Sequence, residues 1–270
     1  MKKYAKLLAA MMAVLMLMFC FAACGSEPTE APSTDDNEAP AVDTSALNLQ
    51  NDGVLVMGTN AEFPPFEYEE GGAVVGLDAE MMEEVAKRLG VEIEIKNMAF
   101  DSLPEALTAK EIDCIAAGLT VRPDREEVMS FTDGYYVASQ SIIVKKDSAI
   151  ATADDLTDKK IGCQSGTTGS FLAEEYTDVA NISGFANGAL AVEALVNGQV
   201  DAVIIDNNPA NEYGAQYADQ VVVIEGQFED ETYAVAVAKD NTALCDAIND
   251  AIEAMKADGT FDTIVAKYIK

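Results

Sequence analysis

The chain has 270 residues, with 47 acidic side chains against 17 basic ones and a formal net charge of −30. No basic stripe is present, which excludes nucleic acid as a partner because phosphate contacts need clustered Lys and Arg; the acidity reads as a solvated surface that resists aggregation. There is no histidine, so Ser-His-Asp and Cys-His catalytic pairs and His-containing zinc sites are excluded as well.

The N-terminus, Met1-Lys2-Lys3-Tyr4-Ala5-Lys6, is basic, and residues 7–23 form an apolar run without charge, the layout of a secretory signal. A run of this length could also cross a bilayer, which takes ~20 apolar residues. Its ending, Phe21-Ala22-Ala23-Cys24-Gly25-Ser26, argues against a retained span. It resembles the lipobox of bacterial lipoproteins, in which the cysteine is diacylated and the signal is cut away before it; Phe21 stands where that pattern usually has Leu. The resemblance makes residues 1–23 a signal peptide, Cys24 the lipidated residue and the extracytoplasmic face of the cell membrane the location. Residues 24–46 are rich in Pro, Ser, Thr and acids, cannot bury a core, and read as a flexible tether.

The body that follows shows short β-rich runs alternating with helical patterns. Val54–Thr59 reads as a strand, residues 79–89 as a helix with Met81, Met82, Val85 and Leu89 on one stripe and Gly90 as its C-terminal cap, and residues 91–96 as a strand with Val91, Ile93 and Ile95 on one face. This order predicts an α/β architecture with mostly parallel sheets. Cys114 and Cys163 sit within apolar strand-like runs and read as small core residues; with Cys245 they form no metal-binding spacing.

An internal repeat divides the body. Glu105-Ala106-Leu107 followed by 112–118 is echoed by Glu193-Ala194-Leu195 followed by 200–206, with the same spacing from Glu to Asp113 or Asp201 and on to Gly118 or Asp206. In each copy an amphipathic helix feeds a buried strand, which suggests two similar lobes. Open α/β sheets bind ligands beyond the carboxyl ends of their strands, so two such ends facing each other would enclose a site. Residues 208–217 read as a helix that Asp206 could N-cap.

Segments in order along the body, among them GTNAEFPPFEY (58–68), GLDAEMMEEVAKRLG (76–90), FDSLPEALTAKEIDCIAAGLTVRPDRE (100–126), IGCQSGTTGS (161–170) and ALVNGQVDAVIID (194–206), resemble the solute-binding proteins of polar amino acid ABC transporters, of the type II periplasmic-binding fold. The resemblance implies two lobes joined by a two-strand hinge, each a mixed sheet flanked by helices, with lobe one at 47–139 and 231–270 and lobe two at 140–230. It implies a monomer that needs no cofactor or metal, binds a small polar amino acid and delivers it to permease and ATPase subunits.

By the same resemblance Arg125 clamps the ligand carboxylate, a task suited to the planar guanidinium fork, and Asp206 takes the ammonium. Gly118 and Thr120 flank the strand end, where a position without Cβ lets a ligand approach the backbone. Thr168 lies in the Gly166-Thr167-Thr168-Gly169 turn, whose free N–H groups at a helix start make an anion site. Phe63 and Phe100 match aromatic walls, and Phe66 reads as core. Arg122 departs from the pattern, which commonly has Thr there.

Asn60, Glu62 and Gln164 are expected to meet the ligand side chain and to favour a donor-bearing one. If Glu62 points inward the choice is arginine, lysine or ornithine, toward which the reading leans; if it points to solvent, glutamine or cystine. The competing reading is an enzyme resembling cyclohexadienyl dehydratases, for which Glu62 is the candidate general acid.

Overall fold

The computed structural model describes residues 44–269. The expected signal peptide, the lipidated Cys24 and nearly all of the tether lie outside the described residues. Among the described residues, no helix is long and apolar enough to cross a membrane.

In chain order the body contains β1 (Val54–Thr59), the small meander β2 (Glu62–Phe63), β3 (Glu67–Glu70) and β4 (Ala73–Val75), then α1 (Leu77–Leu89), β5 (Glu92–Asn97), α2 (Leu103–Thr108), β6 (Cys114–Ile115), α3 (Pro123–Glu126) and β7 (Met129–Phe131). It continues through β8 (Tyr136–Lys145), β9 (Ile161–Gln164), α4 (Thr168–Tyr176), β10 (Ile182–Phe185), α5 (Gly188–Val196), β11 (Ala202–Asp206), α6 (Asn207–Gln216) and β12 (Val221–Ile224). The chain closes with β13 (Asp230–Tyr233), β14 (Ala236–Ala238), α7 (Thr242–Asp258) and α8 (Thr260–Tyr268).

Two mixed sheets organise these elements. The first has the order β5-β1-β6-β14-β7, and the second β10-β9-β11-β8-β12. In the first, β1 runs parallel to both β5 and β6; in the second, β9 runs parallel to β10 and β11. The chain crosses between them twice. The start of β8, residues 136–139, pairs antiparallel with β13, while its remainder joins β11 and β12 in the second sheet. This is the α/β two-lobed architecture expected, with the two crossing strands side by side.

Helix α1 buries Leu77, Met81, Met82, Val85 and Leu89 and ends at Gly90, whose φ of 72° lets its N–H turn back to the carbonyls of Ala86 and Lys87. It begins two residues before the sequence pattern indicates. The reason is remote: the N–H groups of Leu77 and Asp78 donate to the carbonyls of Pro65 and Phe66 in the meander, at 3.1 and 2.9 Å, so orphan donors of the first turn are satisfied by distant backbone. The strand expected at 91–96 is β5, shifted by one residue, with Ile93 and Ile95 half-buried at the sheet edge.

The repeated aspartates have one shared job. Asp113 accepts from the Val56 N–H in β1 at 2.8 Å, and Asp201 accepts from the Lys160 N–H just before β9 at 2.9 Å. Each copy thus pins a strand to its parallel neighbour. The copies differ in strand length, because β6 ends at Ile115 and leaves Gly118 in a loop, whereas β11 runs to Asp206 itself. Cys114, Cys163 and Cys245 are buried free thiols, and Phe66 is fully buried.

The meander depends on Gly76, whose φ is 126° and where an added Cβ would lie 2.2 Å from the Phe66 carbonyl oxygen. Gly72, at φ 86°, has nothing within 4 Å of the same position. Both Gly76→Ala and Gly72→Ala meet a backbone cost of ~1–3 kcal/mol, but only the first adds a clash. The urea midpoint should therefore fall further for Gly76→Ala than for Gly72→Ala; equal midpoints would contradict this packing.

Candidate functional site

The carboxyl ends of β1, β9 and β11 and the loop after β6 converge on one cavity between the two sheets. From the side of the first sheet it is lined by Asn60, Phe63, Glu67, Phe100, Ala117, Gly118, Thr120 and Arg125, and from the second by Gln164, Thr167, Thr168 and Asp206. The cleft is shut: about 10 Å³ of free volume remains. Gln164 Nε2 donates across it to Asn60 Oδ1 at 2.8 Å, and Arg125 Nη2 donates across it to the Gly166 carbonyl at 3.1 Å.

Arg125 sits in α3, opened by Pro123 at its first turn. Its side chain turns into the cleft, and the residue is 8% exposed. Nη1 donates to the Thr120 carbonyl at 2.8 Å, and the guanidinium lies 5.7 Å from the Phe100 ring centroid. Burial, followed by the like charge of Arg122, lowers its pKa to about 10, so it remains a cation at neutral pH. Two carbonyls do not exhaust the donors of a guanidinium fork.

Asp206 faces it from the other sheet. It occupies the N-cap of α6 without making a side-chain cap bond, which corrects the capping alternative. Its Oδ1 instead accepts from the Tyr233 hydroxyl. Burial first, and then the charge of Glu231, raise its pKa to about 7. Thr120 and Thr168, from opposite sides, both donate to Glu231 Oε2, at 2.8 and 2.9 Å. Thr167 caps α4 by accepting from the Ser170 N–H, as the Gly-Thr-Thr-Gly turn suggests.

Gly118 has a φ of 54°, and a Cβ there would lie 2.8 Å from Phe63 Cε1. The absent side chain therefore makes room for the aromatic wall itself. The Gly118 N–H and the Tyr135 hydroxyl both donate to Asp78 Oδ2, at 2.8 and 2.7 Å. Burial raises the Asp78 pKa to about 6 against the lowering effect of those bonds. Glu67 is fully buried, with its carboxyl group beside that of Asp78. Burial, then the charge of Asp78, hold its pKa well above the ordinary carboxylate range.

Nine of the expected residues thus meet in one cavity, and Glu62 does not. Glu62 is exposed and borders a separate rim cavity with Tyr213, whose hydroxyl donates to the Glu62 carbonyl at 3.2 Å. The expectation that Glu62 meets the ligand side chain is corrected here: alternation along β2 turns Phe63 inward and Glu62 out. Glu67 and Asp78 are the acids that sequence reasoning missed. Asp78 carried a signal, an acid on the stripe of Leu77, Met81 and Val85; Glu67, between Phe66 and Tyr68 in an acidic strand, carried none.

Residues 55–270 match the model of the bacterial extracellular solute-binding proteins, family 3. The arginine-binding extracellular protein ArtP of Bacillus subtilis is 35% identical over 79% of this chain and 85% of its own. The arginine-, lysine-, histidine-binding protein ArtJ of Geobacillus stearothermophilus is 36% identical, with a TM-score of 0.77 over 80% of this chain and 94% of that one. An ancestral arginine-binding protein, solved bound to arginine and bound to glutamine, is 38% identical in both forms with a TM-score of 0.77; it covers 81% and 80% of this chain and 99% and 98% of its own. A family match across nearly the whole described body, on a fold with the cleft where its strands end, identifies the chain as a member of the bacterial extracellular solute-binding proteins, family 3.

Proposed function

We propose that this chain captures a basic amino acid, arginine, lysine or ornithine, and hands it to the permease of an ABC importer while tethered to the membrane through Cys24. It is an amino-acid-binding component and not an enzyme; the relatives above are named as binding proteins. One observation carries the reading. A buried guanidinium, Arg125, and a buried carboxylate, Asp206, enter one cleft from opposite sheets, which suits the two charged ends of an amino acid.

The remaining free volume of about 10 Å³ is too small for any amino acid, so the lobes must part for entry, along limits we place at 47–139 with 231–270 and at 140–230. Closing on a ligand that bonds both halves supplies the differential affinity that a population shift requires.

With Glu62 facing out, the lean toward a basic side chain rests on other support. Three acids, Glu67, Asp78 and Asp206, are buried in and around the cleft and would be held in their charged forms by a cationic ligand side chain, and the relatives above are named for arginine. The amides of Asn60 and Gln164, which line the cleft together with Phe63 and Phe100, favour glutamine as the second reading, since both donors and acceptors are present.

Stripping one partner from a desolvated charge pair costs ~2–5 kcal/mol. Arg125→Ala and Asp206→Ala should each weaken amino acid binding by about thirtyfold or more; affinity within about threefold of wild type in calorimetry would place the site elsewhere. In a thermal-shift panel of the standard amino acids with ornithine and cystine, a ligand at about one hundred times its Kd adds ~2.7 kcal/mol. For a body of this size that is a rise of roughly 5–10 °C. Arginine or lysine should give it; a response confined to leucine or a sugar would contradict the reading, and one confined to glutamine would select the second. Cys24→Ser should move the protein from the membrane to the soluble fraction, and an unchanged membrane fraction would remove the anchor.

A further inference from the structure

Arg122 stands where the resembled family commonly has Thr, and its side chain stays out of the cleft. It borders a neighbouring cavity of about 730 Å³ whose wall also includes Thr120, Thr168, Phe171 and Glu231. The Arg122 guanidinium carbon lies 4.2 Å from the Phe171 ring centroid, while its Nε is held by Asp124 Oδ1 at 2.9 Å. The partners belong to different halves of the molecule. Arg122 comes two residues after Thr120, beside the first sheet; Phe171 lies one turn into α4, which packs on β9 and β11 of the second. Phe171 is 40% exposed, so its ring face would meet water if the halves separated.

We propose that Arg122 and Phe171 form a clasp on the rim, a pair of positioning residues that hold the cleft shut over a ligand neither of them touches. The inference rests on the binding-protein reading above. A cation over an aromatic face is attracted by the ring quadrupole. Because this contact exists only while the halves meet, it stabilises the closed state selectively. Its loss should therefore appear in the rate of ligand release and little in the rate of capture.

A rival account gives Arg122 a purely electrostatic role, since after burial its charge is the largest influence on the carboxylate clamp Arg125. The accounts differ in what Phe171 does. A charge acting through space is indifferent to the ring and is screened by salt; a clasp needs the ring.

The test is stopped-flow binding of L-arginine, or of L-glutamine where arginine gives no signal, to the full chain and to Arg122→Ala, Phe171→Leu and the double variant, at low and high salt. Each single change should raise koff about two- to fivefold, the size of an exposed cation–π contact, with kon within about twofold. The double variant should release no faster than the faster single one, and Arg122→Lys, which keeps the charge without the planar fork, should fall between. Unchanged melting temperatures of the unliganded variants would separate the effect from stability. A normal koff in Phe171→Leu, effects that add in the double variant, or an Arg122→Ala effect abolished by salt would each overturn the clasp. A wild-type chain that binds none of arginine, lysine, ornithine and glutamine would overturn the functional reading and the clasp with it.

Discussion

The architecture turns on a buried cation. Arg125 is carried into a shut cleft on a short helix, where its hydrogen bonds within the described residues go to two backbone carbonyls. Leaving a buried charge without its partner is worth ~3–5 kcal/mol of destabilisation, so the protein must either keep that side chain near water or bring it a carboxylate. A two-lobed fold can do both by turns: open, the guanidinium is hydrated; closed, it is desolvated and its free donors demand an anion. The carboxylates of Glu67, Asp78 and Asp206 impose the mirror requirement, a positive ligand charge or retained protons. On the proposed reading, selectivity for an amino acid follows from placing both requirements in one cavity.

Several elements of the fold support that placement. Parallel strands β1, β9 and β11 end at the cleft, and the repeated Asp113 and Asp201 fix strand register by accepting backbone N–H groups of neighbouring segments. Asp78 holds the Gly118 loop through one oxygen that also binds Tyr135, and Gly118 in turn makes room for the Phe63 ring. Crossing strand β13 adds to the contacts that span the halves: Tyr233 reaches Asp206, and Glu231 gathers Thr120 and Thr168. A strand that passes between the halves thus contributes side chains to the contacts around the cleft.

Much of this was legible in the sequence because it is periodic or local. The stripe of α1, the Gly90 cap, the alternation of elements and the repeat all record short-range rules, and the resemblance placed Arg125 and Asp206 on opposite sides of one cavity. What was not legible depends on remote partners. The early start of α1 needs the carbonyls of Pro65 and Phe66. Glu62 and Glu67 look alike in the sequence, two acids near Pro64 and Pro65. Only the pairing of Glu62 with Tyr68 and of Phe63 with Glu67 decides which face each takes, and it sends the first to solvent and the second into the cleft wall.

The central claim is that Arg125 recognises an α-carboxylate inside a desolvated cleft, and the most direct test compares two ligands that differ by that group alone. Calorimetric titration of the purified protein with L-arginine and with agmatine, its decarboxylated analogue, isolates the carboxylate while leaving the side chain and one amine intact. The account predicts that agmatine binds at least about thirtyfold more weakly, since it would leave the buried guanidinium unpaired. It also predicts that Arg125→Ala narrows that difference to within about threefold. Equal affinity of the wild-type protein for both ligands would contradict it.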